Sequence, residues 1–114
     1  MITMSEGIQT LSDVEKVNST FKNMAAPDRM AWLHEQFGAR LVLSSSFGLQ
    51  AAVMLDLARK YVPQIPVVWI DTGYLFAETY QYAEQLIESF GLNVKVYQPE
   101  LSAARQEALY GKLW

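Results

Sequence analysis

Residues 41–50 read Leu-Val-Leu-Ser-Ser-Ser-Phe-Gly-Leu-Gln, a short apolar run that ends in three hydroxyl side chains and a glycine. The run predicts a buried strand, and the apolar positions from Leu49 to Tyr61 predict a helix that packs on it. Residues 67–73, Val-Val-Trp-Ile-Asp-Thr-Gly, repeat the arrangement and lead into a helical stripe that Gly91 ends. A strand, a turn and a helix in repeated order indicate parallel βαβ units.

The flanking segments extend this pattern in both directions. Residues 94–97 alternate apolar and polar side chains, which suits an edge strand, and residues 101–109 predict a further helix. Upstream, residues 12–24 and 27–37 have helical spacing, and the second of these helices stops at Gly38. The predicted order is therefore α-α-β-α-β-α-β-α.

This order predicts an α/β fold with a Rossmann-like parallel sheet and flanking helices. If each new strand is added on the same side, the strand order is 3-2-1, which is half of a doubly wound sheet. We assign residues 1–38 to N-terminal helices and residues 39–114 to the first half of a nucleotide-binding α/β domain. Residues 110–114, Tyr-Gly-Lys-Leu-Trp, read as mid-sequence, so we expect a single domain that is incomplete here.

Composition limits the classes of function. The chain has 114 residues, no cysteine and a formal net charge of −3. Without cysteine there are no disulfides, no thiolate metal sites and no cysteine nucleophile within these residues. Negative charge gives no general attraction to nucleic acid or membranes, so an anionic ligand needs a local site. The first residues lack the basic start and the continuous apolar run of a signal peptide, and no stretch approaches the roughly 20 apolar residues of a membrane span. We expect a cytoplasmic protein that binds neither nucleic acid nor membrane.

The first candidate site is the turn after the first strand. Ser44, Ser45 and Ser46 offer hydroxyl donors, Gly48 permits a tight turn or close approach, and a helix start presents backbone N–H groups. Together they suit an anion. The alternative is an ordinary serine-rich helix cap. The turn is neither a Walker A loop nor a three-glycine dinucleotide fingerprint.

The second candidate follows the next strand. Asp71, Thr72 and Gly73 end that strand at the same sheet edge, so we expect both turns to line one cleft. Asp71 or nearby backbone groups then contact a ribose or base. The alternative is a turn with a helix cap, because these residue types are common in turns. No pair or cluster of side chains has metal-ligand spacing.

Taken together, Ser-Ser-Ser-Phe-Gly-Leu-Gln at 44–50 and Trp-Ile-Asp-Thr-Gly-Tyr-Leu-Phe-Ala-Glu-Thr at 69–79 resemble the phosphoadenylyl-sulfate (PAPS) reductases of the adenine-nucleotide alpha-hydrolase-like superfamily. The resemblance runs from about Leu41 to Trp114, and it corresponds to the N-terminal portion of the proteins of that family. It implies substrate contacts at ten residues: Ser44, Ser45, Ser46, Phe47, Gly48, Gln50, Asp71, Thr72, Gly73 and Tyr74. Phe47 and Tyr74 are also explained by simple packing.

The resemblance implies thioredoxin-dependent reduction of PAPS to sulfite and adenosine 3′,5′-bisphosphate, in sulfate assimilation and cysteine biosynthesis. It implies a homodimer, thioredoxin as reductant and no bound cofactor. The family's nucleophile is a cysteine near the C-terminus, so we expect it outside these residues and expect this chain alone to be inactive. Related ATP pyrophosphatases have Ser-Gly-Gly-x-Asp-Ser at the first turn, and the aspartate is missing here.

Three alternatives stay open at this point. The chain fits a non-catalytic adenine-nucleotide-binding module of the same superfamily, an adenylyl-sulfate reductase, or, less well, an ATP pyrophosphatase. The residue sequence of the two turns more closely resembles the PAPS reductase branch, whose members have no iron–sulfur cluster. An incomplete sheet also leaves an apolar strand edge unpaired, so we expect the isolated chain to be oligomeric, swapped or prone to aggregation.

Overall fold

The computed structural model describes residues 11–112. Five α-helices, one short 3₁₀ helix and three strands follow one another in the predicted order: α1 (Leu11–Lys22), α2 (Ala26–Phe37), the 3₁₀ turn (Gly38–Arg40), β1 (Leu43–Ser44), α3 (Ala51–Tyr61), β2 (Pro66–Ile70), α4 (Ala77–Phe90), β3 (Asn93–Tyr97) and α5 (Ala103–Tyr110). Within residues 11–112, no helix is both long and apolar enough to cross a membrane.

The three strands form one parallel sheet in the order β1-β2-β3. Leu43 pairs with Val67, and Val67 pairs with Val94. The predicted α/β class and the 3-2-1 order are therefore confirmed. β1 is shorter than predicted and begins later, because the Leu41 N–H still donates to Gly38 O of the 3₁₀ turn at 3.1 Å.

The main core lies between the sheet and the two helices α3 and α4. Its buried side chains come from the first turn, α3, β2 and α4: Phe47, Leu55, Val67, Trp69, Ala83 and Leu86. A second cluster joins α2 to α3 through Met30, Ala58, Val62 and Ile65. Alternate residues of β2 supply Val67 and Trp69 to the same face, as the two-residue period of a strand requires.

The opposite face of the sheet carries large exposed apolar side chains. Ile70 is 66% exposed and Tyr97, its partner across the sheet, is 60% exposed. Parallel sheets are normally covered on both faces, because their strands carry apolar residues on each side. This face, defined by Val68, Ile70 and Tyr97, is called the open face below.

The open face predicts self-association of the isolated chain. We expect light scattering to find dimers or larger species, because contact between open faces removes apolar surface from water. Ile70→Lys places a charge on this face and shifts the population toward monomer. Val14→Lys, at an exposed position of α1, is the matched control and leaves the distribution unchanged. A monodisperse monomer of the unmodified chain contradicts the prediction.

Candidate functional site at the carboxyl edge of the sheet

The two candidate turns lie at the same edge of the sheet. β1 ends at Ser44 and β2 ends at Ile70, and the strands run parallel. Backbone pairing continues past both strand ends, since the Ser45 N–H donates to Val68 O at 3.0 Å and the Asp71 N–H donates to Tyr97 O at 2.9 Å. The turns are therefore anchored where they leave the sheet.

Phe47 shapes the first turn from inside the core. Its side chain is 1% exposed, and its ring packs edge-on against Trp69 with centroids 4.8 Å apart. Its backbone has φ 54°, an uncommon value for a residue with a side chain. The Phe47 N–H donates to Ser45 Oγ at 3.1 Å, which supports this conformation. The side chain of Phe47 therefore packs in the core, which agrees with the packing explanation, and a substrate contact at Phe47 stays a prediction for its backbone alone.

Of the two roles expected for Gly48, the structure does not support the tight turn, and the close approach of a ligand stays a prediction. The left-handed residue is Phe47, and a Cβ built at Gly48 meets only Ser46 Oγ, at an ordinary contact distance of 3.6 Å. The protein's own packing therefore does not require glycine at this position. A missing side chain here instead leaves space at the surface of the pocket.

A pocket of about 540 Å³ opens beside the first turn. Its lining includes Ser44, Ser45, Ser46, Gly48 and Gln50, together with apolar side chains at the start of α3. Gln50 is the N-cap residue of α3, and its side chain makes no capping hydrogen bond. None of the serines therefore caps this helix, and the alternative of a serine-rich cap is wrong.

The same serines also border a second pocket, on the open face. This pocket of about 420 Å³ is lined by Ser44, Ser45, Ser46, Val68 and Ile70. It combines a hydroxyl-rich rim with an apolar floor from β2. The first turn thus presents polar groups on both sides of the sheet edge, without a charged side chain in either lining.

Asp71 faces inward and binds three donors from separate segments. Its Oδ1 accepts hydrogen bonds from the Gly73 N–H at 2.9 Å and from the Tyr80 hydroxyl at 2.5 Å. Its Oδ2 accepts one from Gln98 Nε2 at 3.3 Å. The side chain is 9% exposed. The carboxylate therefore holds its own turn together, which agrees with the turn alternative for this residue.

The same hydrogen bonds set the charges in this cluster. The Tyr80 hydroxyl, followed by the Gly73 N–H, holds the pKa of Asp71 below its usual value, although burial acts in the opposite direction. The bond to Asp71, followed by burial, raises the pKa of Tyr80. At neutral pH the pair is therefore an ionised carboxylate and a neutral phenol.

The rest of the second turn lies next to the start of α5. Gly73 has φ 80°, and a Cβ there meets the Ala103 Cβ at 3.4 Å, so glycine suits this position. Thr72 Oγ1 accepts from the Tyr74 N–H at 3.2 Å, and the Tyr74 hydroxyl donates to Ala103 O at 2.6 Å. Burial, with a smaller effect of the Glu107 charge, raises the pKa of Tyr74.

The two turns border different pockets. Asp71, Thr72 and Gly73 line a pocket of about 340 Å³ with Gln98, Pro99 and residues 101–104, whereas the serines line the pockets described above. Both turns lie at one edge of the sheet, as predicted, and a cleft common to both stays a prediction. The Tyr74 hydroxyl holds the start of α5 beside this turn through Ala103 O, and the Ser102 side chain caps that helix by accepting from the Arg105 N–H.

Sequence reasoning missed Tyr80 and Gln98. Tyr80 belongs to the apolar stripe of α4, so its spacing indicated only core packing. A signal was available, because a tyrosine in such a stripe usually needs a partner for its hydroxyl. Gln98 follows a strand predicted to lie at the edge, and nothing in its local pattern indicates a contact across 27 residues. Within residues 11–112, no three His, Asp or Glu side chains converge as a metal site requires.

A family model for the phosphoadenosine phosphosulfate reductase domain matches residues 40–114, which include both turns and all three strands. The chain belongs to this family. A phosphoadenosine 5′-phosphosulfate reductase from Synechococcus sp. is 53% identical over 104 residues, and one from Synechocystis sp. is 54% identical over 105 residues. These alignments cover 91% and 92% of this chain, but only 45% and 42% of the relatives.

The chain therefore spans less than half the length of these family members. A relative from Vibrio cholerae aligns with all 114 residues at 49% identity, and these correspond to 45% of that protein. Among solved structures, a PAPS reductase from Candida auris, in a phosphate complex, superimposes with a TM-score of 0.81 at 20% identity. That alignment covers 94% of this chain and 53% of the other, and it supports the fold.

The Asp71 cluster predicts a specific pH dependence of stability. Because its folded-state pKa lies below the usual aspartate value, Asp71 stabilises the fold at neutral pH and loses that effect as acid protonates it. We expect Asp71→Asn to lower the free energy of unfolding at neutral pH by about 1–3 kcal/mol. The variant should also lose less stability than the unmodified chain between roughly pH 5 and pH 1.

Urea unfolding at several pH values measures both effects. Glu84→Gln, which removes an exposed carboxylate from α4, is the matched control and should follow the unmodified chain. Equal acid sensitivity in Asp71→Asn and the unmodified chain contradicts an ionised, hydrogen-bonded Asp71.

Proposed function

We propose that the protein containing these residues is a thioredoxin-dependent PAPS reductase, and that this chain supplies part of its nucleotide pocket. The observation that carries the proposal is the hydroxyl-rich turn at the carboxyl end of β1, open on both sides and continuous with the exposed end of β2. Membership of the reductase family supports the choice of substrate. Ligands of open α/β sheets bind beyond the carboxyl ends of the strands, which is where this turn lies.

The chemistry of the pocket suits a sulfated adenine nucleotide. Hydroxyl donors and backbone N–H groups before α3 can bind phosphate and sulfate oxygens, and the dipole of α3 favours negative charge at that end. The apolar surface of Val68 and Ile70 suits the face of a purine ring. In a chain with a net charge of −3, such a local arrangement is needed to bind an anion at all.

The proposed reaction needs a thiolate from outside these residues, because the chain contains no cysteine. The thiolate attacks the sulfur of PAPS, an S–S bond forms, and the S–O bond breaks so that adenosine 3′,5′-bisphosphate leaves. A thioredoxin thiolate then attacks the enzyme's cysteine sulfur and releases sulfite. The second thioredoxin thiol resolves the mixed disulfide, so the two electrons come from thioredoxin.

The serine turn equally suits a second candidate, a non-catalytic adenine-nucleotide-binding module, because binding alone needs no nucleophile. Binding by this chain is common to both candidates, whereas reduction of PAPS belongs only to the first. An adenylyl-sulfate reductase is distinguished by its ligand, because its substrate carries no 3′-phosphate. Homodimer formation and cytoplasmic location stay predictions that accompany the first candidate.

Nucleotide binding tests the role of the serine turn. We expect calorimetry to detect binding of adenosine 3′,5′-bisphosphate to the chain, and Ser46→Ala to weaken it roughly tenfold by removing one hydroxyl donor to an anion. Ser46 is exposed, so its loss should leave the fold intact. Ser89→Ala, on the exposed surface of α4, is the matched control. Equal affinity for adenosine 5′-monophosphate favours an adenylyl-sulfate reductase, and no binding of either ligand contradicts the proposal.

Sulfite release tests the assignment of the nucleophile. We expect no sulfite from PAPS and reduced thioredoxin with these 114 residues alone, and sulfite from a family member that contains the cysteine. Sulfite formation by the isolated chain contradicts a cysteine nucleophile. A cysteine-containing protein that extends this sequence, binds the nucleotide and yet releases no sulfite favours the binding module.

A further inference from the structure

Three separate segments converge on the carboxylate of Asp71. The donors are the Gly73 N–H of the turn itself, the Tyr80 hydroxyl of α4 and the Gln98 amide just beyond β3. We propose that Tyr80 and Gln98 are positioning residues, which hold the Asp71–Gly73 turn in the conformation that presents Thr72 and Gly73 to the nucleotide. This inference rests on the proposed nucleotide binding and concerns a half-buried tyrosine and an exposed glutamine that both bind Asp71.

The backbone supports this role. Asp71 is tied to the end of β3 twice, through its N–H to Tyr97 O at 2.9 Å and through its Oδ2 to Gln98 at 3.3 Å. Tyr80 ties the same carboxylate to the first turn of α4 at 2.5 Å. With its carboxylate held on both oxygens, Asp71 acts through the turn and leaves Thr72 and Gly73 exposed at the pocket.

The hydroxyl of Tyr80 can be separated from its ring. The ring is half-buried and packs against Trp69 with centroids 6.0 Å apart, whereas the hydroxyl reaches Asp71. Tyr80→Phe keeps the ring and removes only the donor. If Tyr80 only fills space in the core, this change leaves the conformation of the Asp71–Gly73 turn unaltered. If its hydroxyl positions the turn, the change alters that conformation.

The groups around Asp71 allow its protonation to be followed by NMR. Tyr80 faces the Asp71 carboxylate from α4. Gln98 faces it from the end of β3 and is uncharged. The charge of Glu107 in α5 acts on Tyr74 instead. The Tyr80 hydrogen bond is the largest cause that lowers the pKa of Asp71. Loss of that bond moves protonation of Asp71 to higher pH. The Gly73 amide donates to the same carboxylate, so its NMR shift follows this titration.

The experiment compares Tyr80→Phe with Tyr61→Phe, an exposed tyrosine of α3, in the 114-residue chain. We expect Tyr80→Phe to bind adenosine 3′,5′-bisphosphate roughly tenfold more weakly, as for loss of one hydrogen bond to a charged group. We also expect its Gly73 amide signal to move and the acid midpoint of that signal to rise. Tyr61→Phe should match the unmodified chain in all three measurements.

Each outcome decides between the two proposals. Unchanged affinity and an unchanged Gly73 signal in Tyr80→Phe overturn the positioning role. If the unmodified chain does not bind the nucleotide, the proposed function fails, and the Gly73 signal alone still decides whether Tyr80 positions the turn. If Tyr80→Phe does not fold, Gln98→Ala, at an exposed position, takes its place with the same expected changes. Its failure to change the Gly73 signal or the affinity then overturns the role.

Discussion

The indole ring of Trp69 lies beneath both turns, and the whole carboxyl edge depends on its burial. Its ring packs against Phe47 of the first turn at 4.8 Å and against Tyr80, which holds the second turn, at 6.0 Å. Burial of these aromatic rings supplies the free energy that offsets a left-handed residue at Phe47. The Trp69 indole N–H has no hydrogen-bond partner among the described residues. Packing of the ring therefore also outweighs the free-energy cost of burying an unpaired N–H group.

The proposed anion site has no charged side chain in the linings of its two pockets. At the second turn, the Asp71 carboxylate is turned inward and held by three donors. Backbone N–H groups and a helix dipole carry no counter-ion that must be displaced, and a serine hydroxyl has only one side-chain torsion between it and the backbone to order. Such an arrangement is preorganised for an anion, and it keeps Asp71 from repelling that anion at close range.

The two faces of the sheet differ in how far helices cover them. On one face, α3 and α4 cover β2 and form a continuous core, whereas the open face carries Ile70 and Tyr97 in contact with solvent. The family members it resembles are about twice as long, and this chain corresponds to 42–45% of the two cyanobacterial relatives. In the residues described here, the serine turn is therefore bordered by the start of α3 on one face and by exposed residues of β2 on the other.

The order of helices and strands, their parallel pairing and the location of both turns at one edge followed from the sequence alone. Apolar periodicity and terminating glycines are local signals, and right-handed crossover leaves few topologies for such a pattern. Only the tertiary structure decided the roles within the turns. Phe47 points into the core because Trp69 lies beneath it, and Asp71 points inward because Tyr80 and Gln98 approach from distant segments. Side-chain direction in a turn depends on such long-range neighbours, which no local pattern encodes.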